Sequence, residues 1–280
     1  MAEVLINGIS ADYVSVADRG LNYGDGLFET IACSGTHPHF IRQHLQRMER
    51  GATGLDIPFP GRELFRQDID RVLKNSAGSK SVIKLILTRG HGKRGYRYDT
   101  KQPPTRICVR SPWPAQVVHW AQQGVRARFC QTPASVNPRL AGIKSLNRLE
   151  NVLASNELGD RFDEGLLSDI DGNVVEGTMS NLFAVIGDAV VTPDLSRCGI
   201  AGIMREQIID SAHEIGIRIE NVNLSRDDVM NSQELFISNS VIGLCVLKQL
   251  EQRSFNRHMI TEVIKSRLNK KIDADAETDA

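Results

Sequence analysis

The apolar positions of the chain change period several times, and each change marks an element. Val4 to Val16 alternates and breaks at Asn7-Gly8, a dipeptide suited to a tight hairpin, so an N-terminal antiparallel pair is predicted. Asp18 to Gly26, DRGLNYGDG, is polar and glycine-rich and reads as a loop. LFETIACSGTHPHF reads as strand, turn at Ser34-Gly35 and strand, after which Ile41, Leu45 and Met48 recur at helical spacing. A second helix is predicted over Glu63 to Asn75, and the nearly continuous apolar run VIKLILT reads as a buried strand. A further strand is predicted over Thr105 to Arg110.

SPWPAQ, with two prolines, then reads as a linker to a second lobe that begins near His119. After a strand at Gly124 to Gln131, the stretch AGIKSLNRLENVLASN carries Leu146, Leu149, Val152 and Leu153 at helical spacing. It predicts a helix packed by that face, with Ser145 as N-cap and Lys144 just before it. EGLLSDIDGNVVEGTMSNLFAVIGDAVVTPD reads as a meander of short strands. Gly199 and Gly202 precede a helix containing Ile203, Ile208, Ile209 and Ala212. A strand at Ile217 to Val222, a short helix near Arg226, β structure from ELFISNS to about Leu250 and a helix from Arg257 to Lys270 follow. The acidic end, residues 271–280, predicts a disordered tail. The sum is a two-lobed α+β or α/β chain, with a smaller N-terminal α/β lobe over residues 1–112 and a larger C-terminal lobe of mixed β structure over residues 119–270.

Composition narrows the partners. The 280 residues carry 34 basic and 34 acidic side chains, so no global field draws nucleic acid or a membrane surface, and an anion must be gripped by a local cluster. The five cysteines are scattered, without CxxC or zinc spacing, and read as buried thiols in a reducing, cytoplasmic setting with no metal among them. MAEVLINGIS lacks the pattern of a signal peptide, and no apolar run reaches membrane-spanning length.

Four places carry candidate chemistry. Lys144, if it sits beside a helix N-terminus and is desolvated, would offer a nucleophilic amine able to form a Schiff base. Gly90-x-Gly92-x-x-Gly95 follows a strand as a dinucleotide fingerprint does, but it runs into Tyr-Arg-Tyr-Asp and Pro103-Pro104 rather than opening a helix. What remains there is a flexible loop presenting Arg89, Lys93, Arg94 and Arg97 as an anion site. Glu176 is a carboxylate in a mostly apolar strand, either solvated or buried with a cationic partner, and the amides after Gly202 would make an anion cup at a helix start.

A helix-adjacent lysine, a strand glutamate about thirty residues later and a glycine-flanked helix start together resemble the fold-type IV pyridoxal-phosphate enzymes. The resemblance runs from INGISADYVSVADRGLNYGDGLFET to ISNSVIG, and within the group KSLNRLENVLA, EGTMSNLF, GIAGIMR and RGHGKRGY look most like the aminodeoxychorismate lyases of folate biosynthesis. It implies pyridoxal 5'-phosphate as cofactor, held through Lys144, with Glu176 facing the pyridine nitrogen. Arg47 and the backbone of Gly202, Ile203 and Met204 would hold the phosphate, and Ser240 would add a hydroxyl. Methionine at 204 replaces the threonine of many related transaminases, which shifts the phosphate grip toward main-chain amides. On the substrate side it implies Arg94 and Tyr96, with Lys84 and Arg89 as further contacts, a small dicarboxylate substrate and a homodimer.

A D-amino-acid transaminase of the same fold is the nearest alternative. Against it stand Arg94-Gly95-Tyr96, where those enzymes carry Arg-x-His, and Phe28, where they carry tyrosine. Leu149 replaces a tyrosine of the branched-chain transaminases, and Leu244-Cys245-Val246 departs from the tryptophan and proline of related lyases. A pyridoxal-phosphate-binding protein without turnover is the alternative of another class, disfavoured by the full set of Lys144, Glu176, Arg47 and Arg94.

Overall fold

The computed structural model describes residues 3–76 and 78–278, which form two compact units. The first takes residues 3–113, 143–147 and 275–278, and the second takes residues 114–142 and 148–274.

In the first unit β1 (Glu3–Ile6) and β2 (Ile9–Ser10) are joined through Asn7 and Gly8, whose φ values of 51° and 81° are those of the type I′ turn that an Asn-Gly pair favours. A short helix α1 (Arg19–Tyr23) precedes β3 (Gly26–Ser34), β4 (His37–Pro38), α2 (Ile41–Gly54), α3 (Arg62–Leu73), β5 (Lys80–Thr88) and β6 (Thr105–Pro112). The strands lie in the order β2-β1-β6-β5-β3-β4, all antiparallel, and β3 pairs with β5 along its whole length from Gly26↔Thr88 to Ser34↔Lys80. Strand alternation sends Leu27, Ile31 and Cys33 to one face, where Leu45 and Met48 of α2 and Phe65 and Ile69 of α3 close the core. Glu29 shares that face. Phe28 and Thr30 point the other way, with Lys84 and Ile86 of β5 opposite them.

The second unit contains α4 (Ala115–Gln123), β7 (Val125–Phe129), α5 (Leu149–Asn156), β8 (Glu164–Ser168), β9 (Asn173–Gly177), β10 (Asn181–Ile186) and β11 (Ala189–Pro193). It continues with α6 (Ile203–Glu214), β12 (Ile219–Val222), β13 (Leu224–Ser225), α7 (Arg226–Asn231), β14 (Glu234–Asn239), β15 (Gly243–Leu250), β16 (Arg253–Ser254) and most of α8 (Met259–Thr278). Its sheet runs β12-β11-β10-β14-β15-β7-β8-β9-β13, with β16 on β15. Pairing is mixed: β11–β12, β15–β7 and β7–β8 are parallel. Phe183 and Phe236, direct partners on β10 and β14, stack with centroids 4.8 Å apart on one face of the sheet, while Leu182, Leu235, Ile237 and Leu247 pack in a core on the other.

Four local expectations are corrected. Residues 19–23, read as loop, make α1 because the Asp18 carboxylate accepts the Gly20 amide and Gly24 takes the left-handed cap. The proline-rich linker holds α4, with Pro114 at its start, where a missing N–H costs nothing. The helix after Lys144 begins only at Leu149, and Leu149, Val152 and Leu153 are exposed rather than packed against the core. The acidic tail is helical to Thr278, and its Asp275 is bonded to His37 and to the Phe40 amide.

Two of the three glycines of the basic loop, Gly90 and Gly92, serve packing. Gly90 has φ of 83°, and a Cβ there would strike the Pro103 carbonyl; at Gly92 a Cβ would lie 2.6 Å from Arg19 Cδ. Gly95 has φ of 103° with open space around it. Gly95→Ala should therefore cost about 1–2 kcal/mol of backbone strain, and Gly90→Ala distinctly more, because a fixed backbone atom must also move. Urea unfolding of the two variants measures the difference, and equal costs would contradict this account.

Candidate active site

Lys144 is placed by backbone. Its carbonyl accepts the Phe28 amide at 3.0 Å, and the Leu146 amide donates to the Gly26 carbonyl at 2.9 Å, so the segment lies as a short added strand on β3. Ser145 is buried in that bridge opposite Leu27 and caps no helix, which removes the predicted dipole effect on Lys144. Gly26 makes the approach possible, since a Cβ there would lie 2.7 Å from the Leu87 carbonyl oxygen and 2.8 Å from Leu146 Cδ1. Lys144 Nζ stands 4.3 Å from the centroid of the Phe28 ring, and Lys84 Nζ stands 5.3 Å from the same centroid. Two ammonium groups thus share one aromatic ring, an arrangement that the ring quadrupole favours and that draws anions.

Beneath this, on the core face of β3, Glu29 binds Arg47 through two hydrogen bonds, Nε to Oε1 at 2.8 Å and Nη2 to Oε2 at 2.5 Å. His44 Nδ1 lies 2.7 Å from the same Oε2. Burial opposes ionisation of Glu29, but the Arg47 charge and the hydrogen bonds from Arg47 and His44 outweigh it and hold the carboxyl at about 2. Burial lowers the pKa of His44, against the Glu29 bond that raises it and with the Arg47 and Lys144 charges adding to the fall. A neutral His44 then donates from Nδ1 to Glu29. The guanidinium plane of Arg47 is fixed by this pair.

The basic loop divides in two. Arg89 was expected at the substrate and is instead turned inward: Nε binds Asp25 at 2.8 Å, Nη1 and Nη2 bind the carbonyls of Asp56 and Leu55, and Tyr98 stacks on its guanidinium at 3.7 Å. It holds the base of the loop. Arg94 and Tyr96 are exposed, on a turn pinned by Arg19, which donates to the Gly95 carbonyl at 2.8 Å, and by the Tyr23 hydroxyl, which accepts the Gly95 amide at 2.9 Å. No role was expected of Arg19, Tyr23, Glu29 or His44, although the first three lie within the stretch INGISADYVSVADRGLNYGDGLFET. A glutamate in an otherwise apolar strand was the one available signal.

In the second unit Glu176, on β9, is buried, and its Oε2 accepts the Ile200 amide at 2.8 Å. Gly199, at φ of 84°, makes the turn that brings this amide round; a Cβ there would meet Leu195 at 2.7 Å and Val175 at 2.9 Å. Asn181 Nδ2 donates to the Ile200 carbonyl at 2.8 Å, and its Oδ1 occupies the space a Gly202 side chain would need. Gly202 therefore begins α6 without a side-chain cap, and the amides of Ile203 and Met204 lie in the first turn, at the positive end of that helix. Both of those side chains are buried, so only their main chain is offered. Ser240 is half-buried in the turn after β14, where Asn239 Oδ1 accepts the Val241 and Ile242 amides.

A second buried acid, Glu164, is accounted for locally. Its oxygens accept from the Gly165 and Thr178 amides and from the Thr178 and Ser180 hydroxyls, and burial pushes its carboxyl upward against those bonds. It ties down the turn that follows Glu176.

The profile of amino-transferase class IV matches residues 26–250. An aminodeoxychorismate lyase of Vibrio harveyi is 32% identical over 241 residues, covering 85% of this chain and 88% of that protein. A provisionally named branched-chain-amino-acid aminotransferase of Methanocaldococcus jannaschii is 31% identical over 273 residues, covering 94% and 93%. The crystal structure of 4-amino-4-deoxychorismate lyase from Pseudomonas aeruginosa superposes with a TM-score of 0.91 at 38% identity, covering 96% of this chain and 99% of that one.

Glu29→Gln should leave a buried guanidinium without its counter-ion and cost about 3–5 kcal/mol. The stability that Glu29 contributes is present above its unfolded value of 4.5 and is lost as pH falls from there toward about 2. The depressed His44 adds a loss of the same sign that begins as pH falls through 6.5. Denaturant titrations between pH 7 and pH 3 should show the fall in the parent protein and a smaller one in Glu29→Gln. Parallel curves would refute the assignment.

Proposed function

Because the chain belongs to the class IV amino-transferase family, we propose that it is a pyridoxal-phosphate-dependent lyase that converts 4-amino-4-deoxychorismate to 4-aminobenzoate and pyruvate. The observation that carries this reading is the pair of cations, Lys144 and Lys84, on the Phe28 ring: a backbone-fixed amine beside a second positive charge suits a substrate with two carboxylates. The relatives named lyase support it.

The residues present fit the cofactor. The uncapped start of α6, where Asn181 excludes any side chain at Gly202, matches a phosphate, and the buried Glu176 matches a protonated ring nitrogen. When bound, pyridoxal phosphate supplies an aldehyde carbon that condenses with amines and a protonated pyridine that draws electrons from the carbon next to the amine. Lys144 holds it through Nζ. The amides of Ile203 and Met204, the hydroxyl of Ser240 and the guanidinium of Arg47 take the phosphate, while Glu29 keeps the Arg47 plane in place. Glu176 holds the proton at the ring nitrogen, and the Ile200 amide on its Oε2 fixes which way the carboxylate faces.

Toward the substrate, Lys144 Nζ takes the hydrogen from ring C4 as the C3–O bond breaks and the ring becomes aromatic. It then gives a proton to the methylene carbon of the departing enolpyruvate, which leaves as pyruvate. Lys84 and Arg94 bind the carboxylates, and Tyr96 covers the ring. Phe28, in place of a tyrosine, packs against the lysine without a competing hydroxyl.

The partner is a second copy of this chain. Leu149, Val152 and Leu153 form an exposed apolar stripe at helical spacing on α5, the kind of surface a homodimer covers. The five free thiols are buried, which fits a cytoplasmic setting, and among the described residues no helix is long and apolar enough to cross a membrane. Leu153→Arg should shift the protein toward monomer in sedimentation velocity; an unchanged sedimentation coefficient in a parent dimer would place the contact elsewhere.

With the purified holoenzyme and authentic 4-amino-4-deoxychorismate, 4-aminobenzoate and pyruvate should appear in equal amounts. Lys144→Ala should abolish both, and Glu176→Gln should lower kcat by about 100-fold or more with little change in KM. Arg94→Met should act chiefly on KM. Keto-acid formation from D-alanine or a branched-chain amino acid, without 4-aminobenzoate from the chorismate derivative, would replace the lyase reading with a transaminase.

A further inference from the structure

Away from these residues, at the β4–α2 corner of the first unit, His37, His39 and Asp275 bring three donor atoms together, all within 4.8 Å of one another. Asp275 Oδ2 lies 3.0 Å from His37 Nε2 and 3.6 Å from His39 Nδ1. Donors bound tetrahedrally to zinc at about 2.0–2.1 Å stand roughly 3.3 Å apart, and the two separations bracket that value. We propose that these three side chains form a binding site for a zinc-class divalent ion, with water completing the tetrahedron.

The second observation is the state of His39. Its Nδ1 is buried and has no hydrogen-bond partner, and 3.6 Å to the carboxylate is too long for a bond. Its other nitrogen, Nε2, is 2.8 Å from Ser34 Oγ. In the tautomer whose Nε2 donates to the serine, Nδ1 offers a lone pair to a cation beside the Asp275 carboxylate. A ligating histidine has the same form, one nitrogen on the metal and the other held by a hydrogen bond that sets the ring. His37 packs edge-on to His39, with centroids 5.1 Å apart, so the two rings are already positioned against each other.

The third donor is held independently of any ion. Asp275 Oδ2 also accepts the Phe40 amide at 2.9 Å, and Phe40 is the left-handed residue, φ of 53°, that starts α2. Binding replaces the proton that His37 shares with Asp275 and so releases it to solvent. The ion adds a joint between the end of α8 and the start of α2, and its effect is on the stability of that corner.

The test uses the full chain without a histidine tag, loaded with cofactor and stripped of metal. Zinc alone, followed by calorimetry, should bind at one ion per chain with a dissociation constant in the micromolar range or tighter, and should raise the melting temperature. Cobalt should give the visible bands of a four-coordinate site. His39→Gln and Asp275→Asn should each weaken zinc binding at least tenfold, and His119→Gln, an exposed control on α4, should not. If either site variant fails to fold, the parent protein still decides through the cobalt spectrum and competition by zinc. Absence of binding at 100-fold the protein concentration, a six-coordinate cobalt spectrum, or affinity untouched by His39→Gln would each overturn the proposal.

Discussion

The structure of the first unit depends on one strand. β3 accepts the Lys144 segment along the edge at Gly26–Phe28, carries the Phe28 ring that two lysines share on one face, and on the other carries Glu29, which fixes Arg47 and His44. Its nine-residue pairing with β5 sets the positions of all of them, because a slip of one residue would exchange the two faces. The Lys144 amine and the Arg47 guanidinium are therefore linked through a single strand rather than through a loop.

In the second unit the corresponding work is done by space rather than by charge. Asn181 fills the volume above Gly202 and bonds the Ile200 carbonyl, so no side chain at 202 covers the start of α6, while the Ile200 amide orients Glu176. Side chains at Ile203 and Met204 are buried and contribute packing. A methionine at that second position is compatible with an anion there, because the main chain, which every residue has, would make the contact.

Most strands and long helices are legible in the apolar period and the Asn7-Gly8 turn in its dipeptide, while the lysine, the glutamate and the glycine-flanked helix stand out along the chain as candidates. What was not legible has physical causes. α1 is too short to show a period, and its capping aspartate lies in a stretch dominated by glycine. The stripe of Leu149, Val152 and Leu153 has the spacing of a core-facing helix, and spacing alone does not say whether its cover comes from the same chain. Arg89 looked like its exposed neighbours because a sequence does not reveal that Asp25, Leu55 and Asp56 converge on it. Glu164 and Glu176 are both buried acids on neighbouring strands, and the sequence does not show that Glu164 is held by the Thr178 and Ser180 hydroxyls and Glu176 by the Ile200 amide.

The hydrogen bonds that seat Lys144 are made by main-chain atoms at both ends. Side chains flanking the lysine can consequently drift in evolution without moving it, provided none is proline and position 26 keeps no Cβ. Specificity can be rewritten around such a lysine by changing what surrounds the Phe28 ring, which leaves the amine itself where it was.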